Sequence, residues 1–440
     1  MTEPRQQGSL SLDGIPEIPD RVGERTRRYQ NTRYATLYGW LGAGEELLIG
    51  TRFGETNQLH LVSQPGGARR QLTFFDGPVW LGRANPNPSH RDLLFIKDEG
   101  GSEAYQVYYL DLDEGQPVLM TDGVSRNSDI VWSNRGDRFA HYSTVRNGRD
   151  LDVWVADPHG GAAPRCVLEA EGYWFPVAWS PDGQGLFVAS DQGTEYRTLR
   201  YLDLSTGEQR HLTGDIPWDV TDLEVSPCGD LIAAVVDEDG ASRLYLVGPD
   251  GTDRRRIEGL PMGVMGRVLF HPGGRLLAFG IETPRAPRDI YVVDLDTGEM
   301  ARWTDSEVGG ASRAAMVEPE LVHYPTFDEV DGAARQISCY WYRPSATPEP
   351  TPVVVQIHGG PESQFLPSFD WFHQFLVNEL GVSVLAPNVR GFTAYGKAFA
   401  ALDNGLRHHQ AHAHVPGAQQ SSRAGQRGRT DGGHHARARC

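Results

Sequence analysis

Cysteine is scarce: the 440 residues hold four, Cys166, Cys228, Cys339 and Cys440, far apart and in no Cys-x-x-Cys spacing. That pattern supports neither a disulfide framework nor a zinc site, and no metal centre or other cofactor is expected. Long apolar runs are missing too, and the opening MTEPRQQGSLSLDGIPEIPD has neither the basic start nor the apolar centre of a secretory signal. A soluble cytoplasmic protein is the expectation. Positive charge is in deficit, with 41 Lys plus Arg against 58 Asp plus Glu and a formal charge of −17. Such a chain repels phosphate backbones and anionic bilayers, so no nucleic acid and no membrane is expected as a partner. What is abundant is chain punctuation: 51 Gly and 29 Pro beside 39% hydrophobic residues. The apolar content is enough for a large core, whereas the breakers argue against a helical protein and for many short strands. A chain about two to three times the usual domain length implies more than one domain.

A period runs through the first two thirds of the chain. QLHLVSQPGGARRQLT, YQVYYLDLDEGQPVLMT, LDVWVADPHGGAAPRCVL, TLRYLDLSTGEQRHLT, RLYLVGPDGTDRRRI and DIYVVDLDTGEMARWT each read as strand, Gly or Asp turn, strand. They end at Thr73, Thr121, Leu168, Thr213, Ile257 and Thr304, 44 to 48 residues apart. A second hairpin pattern precedes them in VWSNRGDRFAHYS, AWSPDGQGLFVAS, VSPCGDLIAAVV and LFHPGGRLLAFG. The Pro, Asp-Gly and Gly-Gly positions supply turn geometry, and the Trp residues read as packing. Four antiparallel strands every 46 residues or so is the unit of a β-propeller, in which stacked blades share apolar faces that one blade cannot bury alone. Six blades are legible within 34–305, and less regular segments leave room for a seventh. Residues 1–33 read as an N-terminal extension.

Past Thr304 the repeat stops. Residues 306–335 read as an irregular linker, and QISCYWYRP opens a new pattern at 336. VVVQIH (353–358) is an all-apolar run of the kind found in the middle of a parallel sheet. VSVLAPN (382–388) is a second strand, and Phe369, Phe372, Phe375, Leu376 and Leu380 between them have the spacing of an amphipathic helix. Strand, glycine loop, helix, strand is the start of an α/β fold. The loop carries His358, Gly359, Gly360 and Pro361. Two glycines at the carboxyl end of a buried strand let backbone N–H groups face an oxyanion, so His358, Gly359 and Gly360 are oxyanion-loop candidates. The fold class is thus mainly β, a propeller followed by an α/β segment at 336–405.

The strings VVVQIHGGPESQF, LVNELGVSVLAPNVRG and YGKAFAALDNG resemble the opening of the hydrolase domain in the prolyl oligopeptidase family of serine peptidases, in particular its acylaminoacyl-peptidase and dipeptidyl-peptidase-like members. EPELVHYPTFD and YWYRP are similar to that family's passage from propeller to hydrolase. The resemblance covers roughly residues 20–405, and it implies that the α/β segment at 336–405 is an incomplete α/β-hydrolase domain. It implies a serine oligopeptidase or exopeptidase acting on short peptides through an acyl-enzyme, with the propeller restricting access. It also implies that Glu99 and Glu103 in KDEGGSEAYQ could bind a peptide's amino terminus, against the plainer reading of a solvated acidic loop.

What the family's chemistry needs is missing. No Gly-x-Ser-x-Gly string occurs; GVSRN at Ser125, GASRL at Ser242 and GASRA at Ser312 each lack the second Gly and precede the His-Gly-Gly-Pro loop. No nucleophile, acid or base of a triad is identifiable. Residues 406–440 hold six Arg, six His, no Lys and one acid, Asp431. This composition reads as a disordered His- and Arg-rich tail such as an out-of-frame reading would give, hence a truncated and catalytically inactive form. The His residues there are expected to take up metal only adventitiously. GFTAYGKA (391–398) approaches a phosphate loop, but Ala398 has no hydroxyl for a magnesium ion. Exposed strand edges in 336–405 are expected to leave that part ordered only through packing on the propeller. The alternative reading is a non-catalytic propeller that binds peptides or proteins in its central channel.

Overall fold

The computed structural model describes residues 5–402, apart from 8–9, 134, 150–151, 162, 169–175, 181–184, 192, 204–205, 346–349 and 360–362. The segment 406–440 and Cys440 lie outside the described residues. After a small hairpin (Arg5–Gln7, Leu10–Leu12) and helix α1 (Asp20–Gln30), six four-stranded antiparallel meanders follow in chain order. The first comprises Thr36–Leu41, Glu46–Thr51, Gln58–Val62 and Arg70–Gln71; the second Val79–Ala84, Asp92–Lys97, Gln106–Asp111 and Val118–Leu119. The third comprises Asn127–Trp132, Phe139–Ser143, Asp152–Ala156 and Arg165–Leu168; the fourth Pro176–Trp179, Gly185–Ser190, Thr198–Asp203 and Gln209–His211. The fifth comprises Asp219–Val225, Ile232–Glu238, Ala241–Val247 and Arg255–Arg256; the sixth Val264–Phe270, Leu276–Thr283, Ala286–Asp294 and Met300–Arg302.

In every one of the six sheets the register slips between the first and second strands, at Leu37/Gly39, Val79/Leu81, Ser128/Val131, Pro176/Ala178, Val220/Asp222 and Met265/Val268. A bulge at the same place in each unit adds local twist where the strands converge. First strands of neighbouring sheets touch: the first with the second, second with third, fourth with fifth, fifth with sixth, and sixth with first. Apolar side chains fill the spaces between sheets, so second strands such as Glu46–Thr51, Asp92–Lys97 and Ile232–Glu238 are buried on both faces, Asp92–Lys97 throughout. The sixth sheet meets the first through Trp40, Leu47, Ile49, Ala278, Ile290, Val292 and Trp303, with Trp40 and Trp303 edge to face at 5.7 Å. Trp80 departs from the packing role expected of tryptophan and is 54% exposed.

The C-terminal unit is a mixed sheet in the order Glu320–Val330, Ala333–Tyr342, Ser383–Pro387, Val353–Val355. Helix α2 (Trp371–Leu380) joins the last two, which run parallel; a short helix α3 (Lys397–Ala400) follows. Three sequence expectations are corrected here. The segment 306–335 is not wholly an irregular linker, because Glu320–Val330 pairs with Ala333–Tyr342; most of its side chains stay exposed, so it carries no burial pattern to read. The run VVVQIH does not sit in mid-sheet: Val353–Val355 is an edge strand with exposed valines, while Ser383–Pro387 takes the central place. On α2 the buried face is His373, Gln374, Leu376 and Val377, leaving Phe372 and Leu380 outward. Asp370 caps the helix by accepting the N–H groups of Phe372 and His373, and Gly381 ends it with φ +63°. Among the described residues no helix is long and apolar enough to cross a membrane.

Candidate functional site

The loop carrying His358 leaves the edge strand, and its pairing continues through the Gln356 N–H to the Leu385 carbonyl at 2.9 Å. The His358 ring is half-buried, edge-on to Phe392 with centroids 3.8 Å apart and to Phe365 at 5.4 Å. Nδ1 lies 3.2 Å from the Gly359 carbonyl, a contact that requires the proton on Nδ1. Nε2 is then a buried acceptor with no partner among the described residues. Burial holds the ring's pKa below its usual value, with the Gly359 carbonyl opposing weakly. Among the described residues nothing lies within 4 Å of where a Cβ on Gly359 would stand, so that side of the residue is uncrowded. Gly360 lies outside the described residues. The loop is braced behind by His373, whose Nε2 lies 2.9 Å from the Gln356 side-chain oxygen.

A network that the sequence did not reveal ties this loop to the six-sheet body. Asn388, buried, accepts the Phe365 N–H at 2.8 Å and lies 3.2 Å from Ser338 Oγ and 3.3 Å from the Tyr395 hydroxyl. Tyr395 donates to Asp239 at 2.6 Å, and Tyr340 donates to the Asp239 carbonyl at 2.9 Å. His323 Nε2 is 2.8 Å from the other Asp239 oxygen. Asp239 has φ +54° at the tip of the hairpin joining the second and third strands of the fifth sheet. Next to it Gln364 donates to Asp237 at 2.6 Å. Burial first, then Asp239 at Tyr395 and the neighbouring Tyr395 and Asp239 at Tyr340, push both phenols far above their ordinary value, so both act as neutral donors. Tyr395 and Asn388 stand in strings that carried the family resemblance, yet their partners are distant in sequence.

The near phosphate loop is already filled. The Ala398 N–H donates to Glu195 Oε1 at 2.7 Å, so a carboxylate occupies the place a phosphate would need. A Cβ on Gly396 would stand 2.5 Å from that same oxygen.

A cavity of about 580 Å³ runs where the first strands converge, lined by residues of all six, among them Trp40, Arg83, Trp132, Ala178, Glu224 and Arg267. Arg83 is held 3.2 Å from Asp129, and burial draws its pKa down to about 10. Burial pushes the Glu224 carboxyl up to about 7, against Arg267 and Arg83, which favour its charge. None of His358, Gly359, Glu99 and Glu103 lines this channel.

Glu99 and Glu103 share the turn between the second and third strands of the second sheet and are both exposed. Glu99 pairs with the ammonium of Lys97, which lies over the rings of Phe75 and Tyr108. Glu103 has φ +58°, its N–H donating to Asp98 at 3.1 Å. Because each sheet is a meander with its first strand innermost, this turn is on the face of the ring that carries Asp239 and the C-terminal unit.

No protein-family model matches the chain. Dipeptidyl aminopeptidase BIII of Pseudoxanthomonas mexicana is 22% identical over 368 residues, 71% of this chain and 53% of that protein. An uncharacterized protein of Agrobacterium fabrum is 26% identical over 201 residues, 44% of this chain and 62% of the other. The chain therefore spans between half and two thirds of the length of these relatives. Among solved structures, a prolyl endopeptidase superposes with a TM-score of 0.64 at 16% identity, covering 88% of this chain and 64% of the other. A puromycin hydrolase gives 0.67 at 18% identity, covering 86% and 69%. A puromycin-hydrolyzing peptidase of Mycobacterium tuberculosis gives 0.63 at 16%, covering 85% and 68%. In sequence through the first of these relatives, and in fold through the solved structures, the chain is similar to peptidases of the prolyl oligopeptidase family.

Proposed function

We propose that the chain is the front portion of a serine peptidase of the prolyl oligopeptidase type: a six-bladed propeller followed by the first part of an α/β-hydrolase domain. The six meanders, and above all the seam of Trp40 and Trp303 between the sixth and the first, favour six blades over seven. The propeller is assigned to 34–305 and the hydrolase portion to 320–402, sixteen residues earlier at its start than the sequence suggests, because Glu320–Val330 belongs to its sheet.

The observation that carries this reading is the loop of His358 and Gly359 at the end of a parallel strand, held on one face of a ring with an axial channel. In acyl transfer a serine oxygen attacks the peptide carbonyl, and that carbonyl oxygen takes up the negative charge. The N–H of Gly359 is assigned to that oxyanion, and Gly360 is assigned with it. Glu99 and Glu103, on the same face, are assigned to a peptide's amino terminus. Short peptides are the assigned ligands. Since the 440 residues contain no Gly-x-Ser-x-Gly, this chain binds them without turnover. The axial channel, with Arg83, Glu224 and Arg267 on its wall, also supports the second reading of a non-catalytic peptide binder.

The test is reaction with a fluorophosphonate probe beside a panel of aminoacyl and dipeptidyl chromogenic amides. No labelling and no hydrolysis is the expected outcome. Stoichiometric labelling of one serine would overturn the assignment of inactivity and identify an activated nucleophile outside the expected elbow.

A further inference from the structure

On the face of the ring away from the C-terminal unit, His90, Asp92 and His159 come together, with one donor atom of each within 4.8 Å of the others. His90 lies in the connection between the first two strands of the second sheet, and Asp92 opens the next strand. His159 comes from the connection between the last two strands of the third sheet. The cluster therefore bridges two neighbouring sheets, with His159 standing 67 positions beyond Asp92 in sequence.

Its parts are held by the fold. Asn85 donates to the Gly136 carbonyl at 3.0 Å and Asn87 to the Arg135 carbonyl at 3.1 Å, pinning the loop before His90 to the third sheet. Asp157 accepts the His159 N–H at 2.8 Å and the Gly161 N–H at 3.1 Å, fixing the second turn. Tyr109 links the two: its hydroxyl donates to Asp92 Oδ2 at 2.8 Å, and its ring stands edge-on to His159 at 5.5 Å. Asp92 is 2% exposed, and its second oxygen, Oδ1, has no partner among the described residues. A buried carboxylate oxygen left so is costly unless a cation satisfies it. His90 Nδ1 is 3.5 Å from Asp92 Oδ2, which sets the imidazole beside the carboxylate whose other oxygen is unpartnered.

We propose that His90, Asp92 and His159 bind a divalent first-row transition ion, of which zinc is the representative, as a clip between the second and third sheets. Two imidazole nitrogens and one carboxylate select zinc, cobalt, nickel or copper over calcium and magnesium, which take oxygen ligands. Three protein ligands leave a fourth position for water. Tyr109, as the neighbour that orients Asp92, supports the ligand set without joining it. The site stands apart from the proposed peptide-handling face and does not depend on that reading.

The experiment must separate this site from the histidines of 406–440. The full chain is prepared with His408, His409, His412, His414, His434 and His435 replaced by alanine, alone and with His159→Ala or Asp92→Asn added. Cobalt(II) and zinc(II) are titrated by equilibrium dialysis, with the visible spectrum of bound cobalt and the thermal midpoint as readouts. One ion per chain is expected in the tail-substituted protein, with the intense visible bands of four-coordinate cobalt and a midpoint raised by zinc. His159→Ala, at an exposed position that spares the fold, should weaken binding at least tenfold and abolish the zinc-dependent rise. Absence of stoichiometric binding in the tail-substituted chain, or binding that survives His159→Ala, overturns the proposal whatever Asp92→Asn does to folding.

Discussion

Thr73, Thr121, Thr213 and Thr304 each place a hydroxyl oxygen against a backbone N–H fourteen residues earlier, at Leu59, Val107, Leu199 and Ile290, at 2.9 to 3.1 Å. A repeated threonine at the end of the fourth strand thus satisfies a donor in the third that the ladder leaves free. Thr213→Val should lower the unfolding free energy by about 1–3 kcal/mol in chemical denaturation, with Thr213→Ser restoring most of it. His141 makes a second prediction at this scale. Its ring is buried, and burial draws its pKa down to about 4, opposed by the more distant charge of Asp122. The unfolded chain takes up this proton as pH falls through about 6.5, whereas the folded chain does so only near 4. The stabilisation from the neutral ring is therefore complete above 6.5 and is lost between 6.5 and 4, amounting to at most about 3 kcal/mol. His141→Phe should flatten the dependence of the unfolding midpoint on pH across that window, and an unchanged slope would assign the dependence elsewhere. The sequence showed these threonines as the ends of repeats; that each closes a hydrogen bond required the third strand to be beside it.

At the scale of the element, strand and helix were legible in the C-terminal unit and their surroundings were not. VVVQIH has the composition of a doubly buried strand, yet Val353 and Val355 are 50% and 57% exposed at the sheet edge. Phe372 and Leu380 of α2 are also outward. The periodicity of an apolar helix marks a face that wants burial, and only the neighbours present decide which part of it obtains burial. An uncovered apolar edge invites pairing with another chain. Replacing Val353 and Val355 together by lysine should reduce self-association measured by light scattering at fixed concentration, with little change in the thermal midpoint. GFTAYGKA shows the same limit: its spacing suggests a phosphate loop, but Glu195, some two hundred residues away, occupies the N–H group of Ala398.

The whole molecule is held by two closures. One is the seam between the sixth and first sheets, where Trp40 and Trp303 pack together and the Trp40 N–H donates to the Leu269 carbonyl at 3.3 Å. Trp303→Ala should cost about 3–5 kcal/mol, because it leaves a large cavity at the junction that completes the ring. The other joins helix α1 to the C-terminal unit. Helix α1 lies on α2, with Tyr29 edge-on to Phe375 at 5.8 Å. Glu379 accepts from Arg25 at 3.1 Å, Arg28 at 3.0 Å and Tyr29 at 3.0 Å. Within the N-terminal extension, helix α1 is thereby a strap on the C-terminal unit. Since part-exposed ion pairs contribute about 0–1 kcal/mol each, Glu379→Ala should leave the overall midpoint within a few degrees. Limited proteolysis should nevertheless cut within α1 several times faster, and equal rates would show that Tyr29 alone secures the helix.

Sequence alone determined the unit of this protein, a four-stranded meander legible in six copies, because alternation and turn residues are local properties that each repeat carries in itself. It also determined that an α/β segment follows the repeats. The tertiary structure decided how the ring closes, which strand lies at the open edge, and which distant residues meet. Asp239 with Tyr395, Glu195 with Ala398, and His90 with His159 are juxtaposed by the packing of whole sheets, and no local pattern encodes a partner so far along the chain.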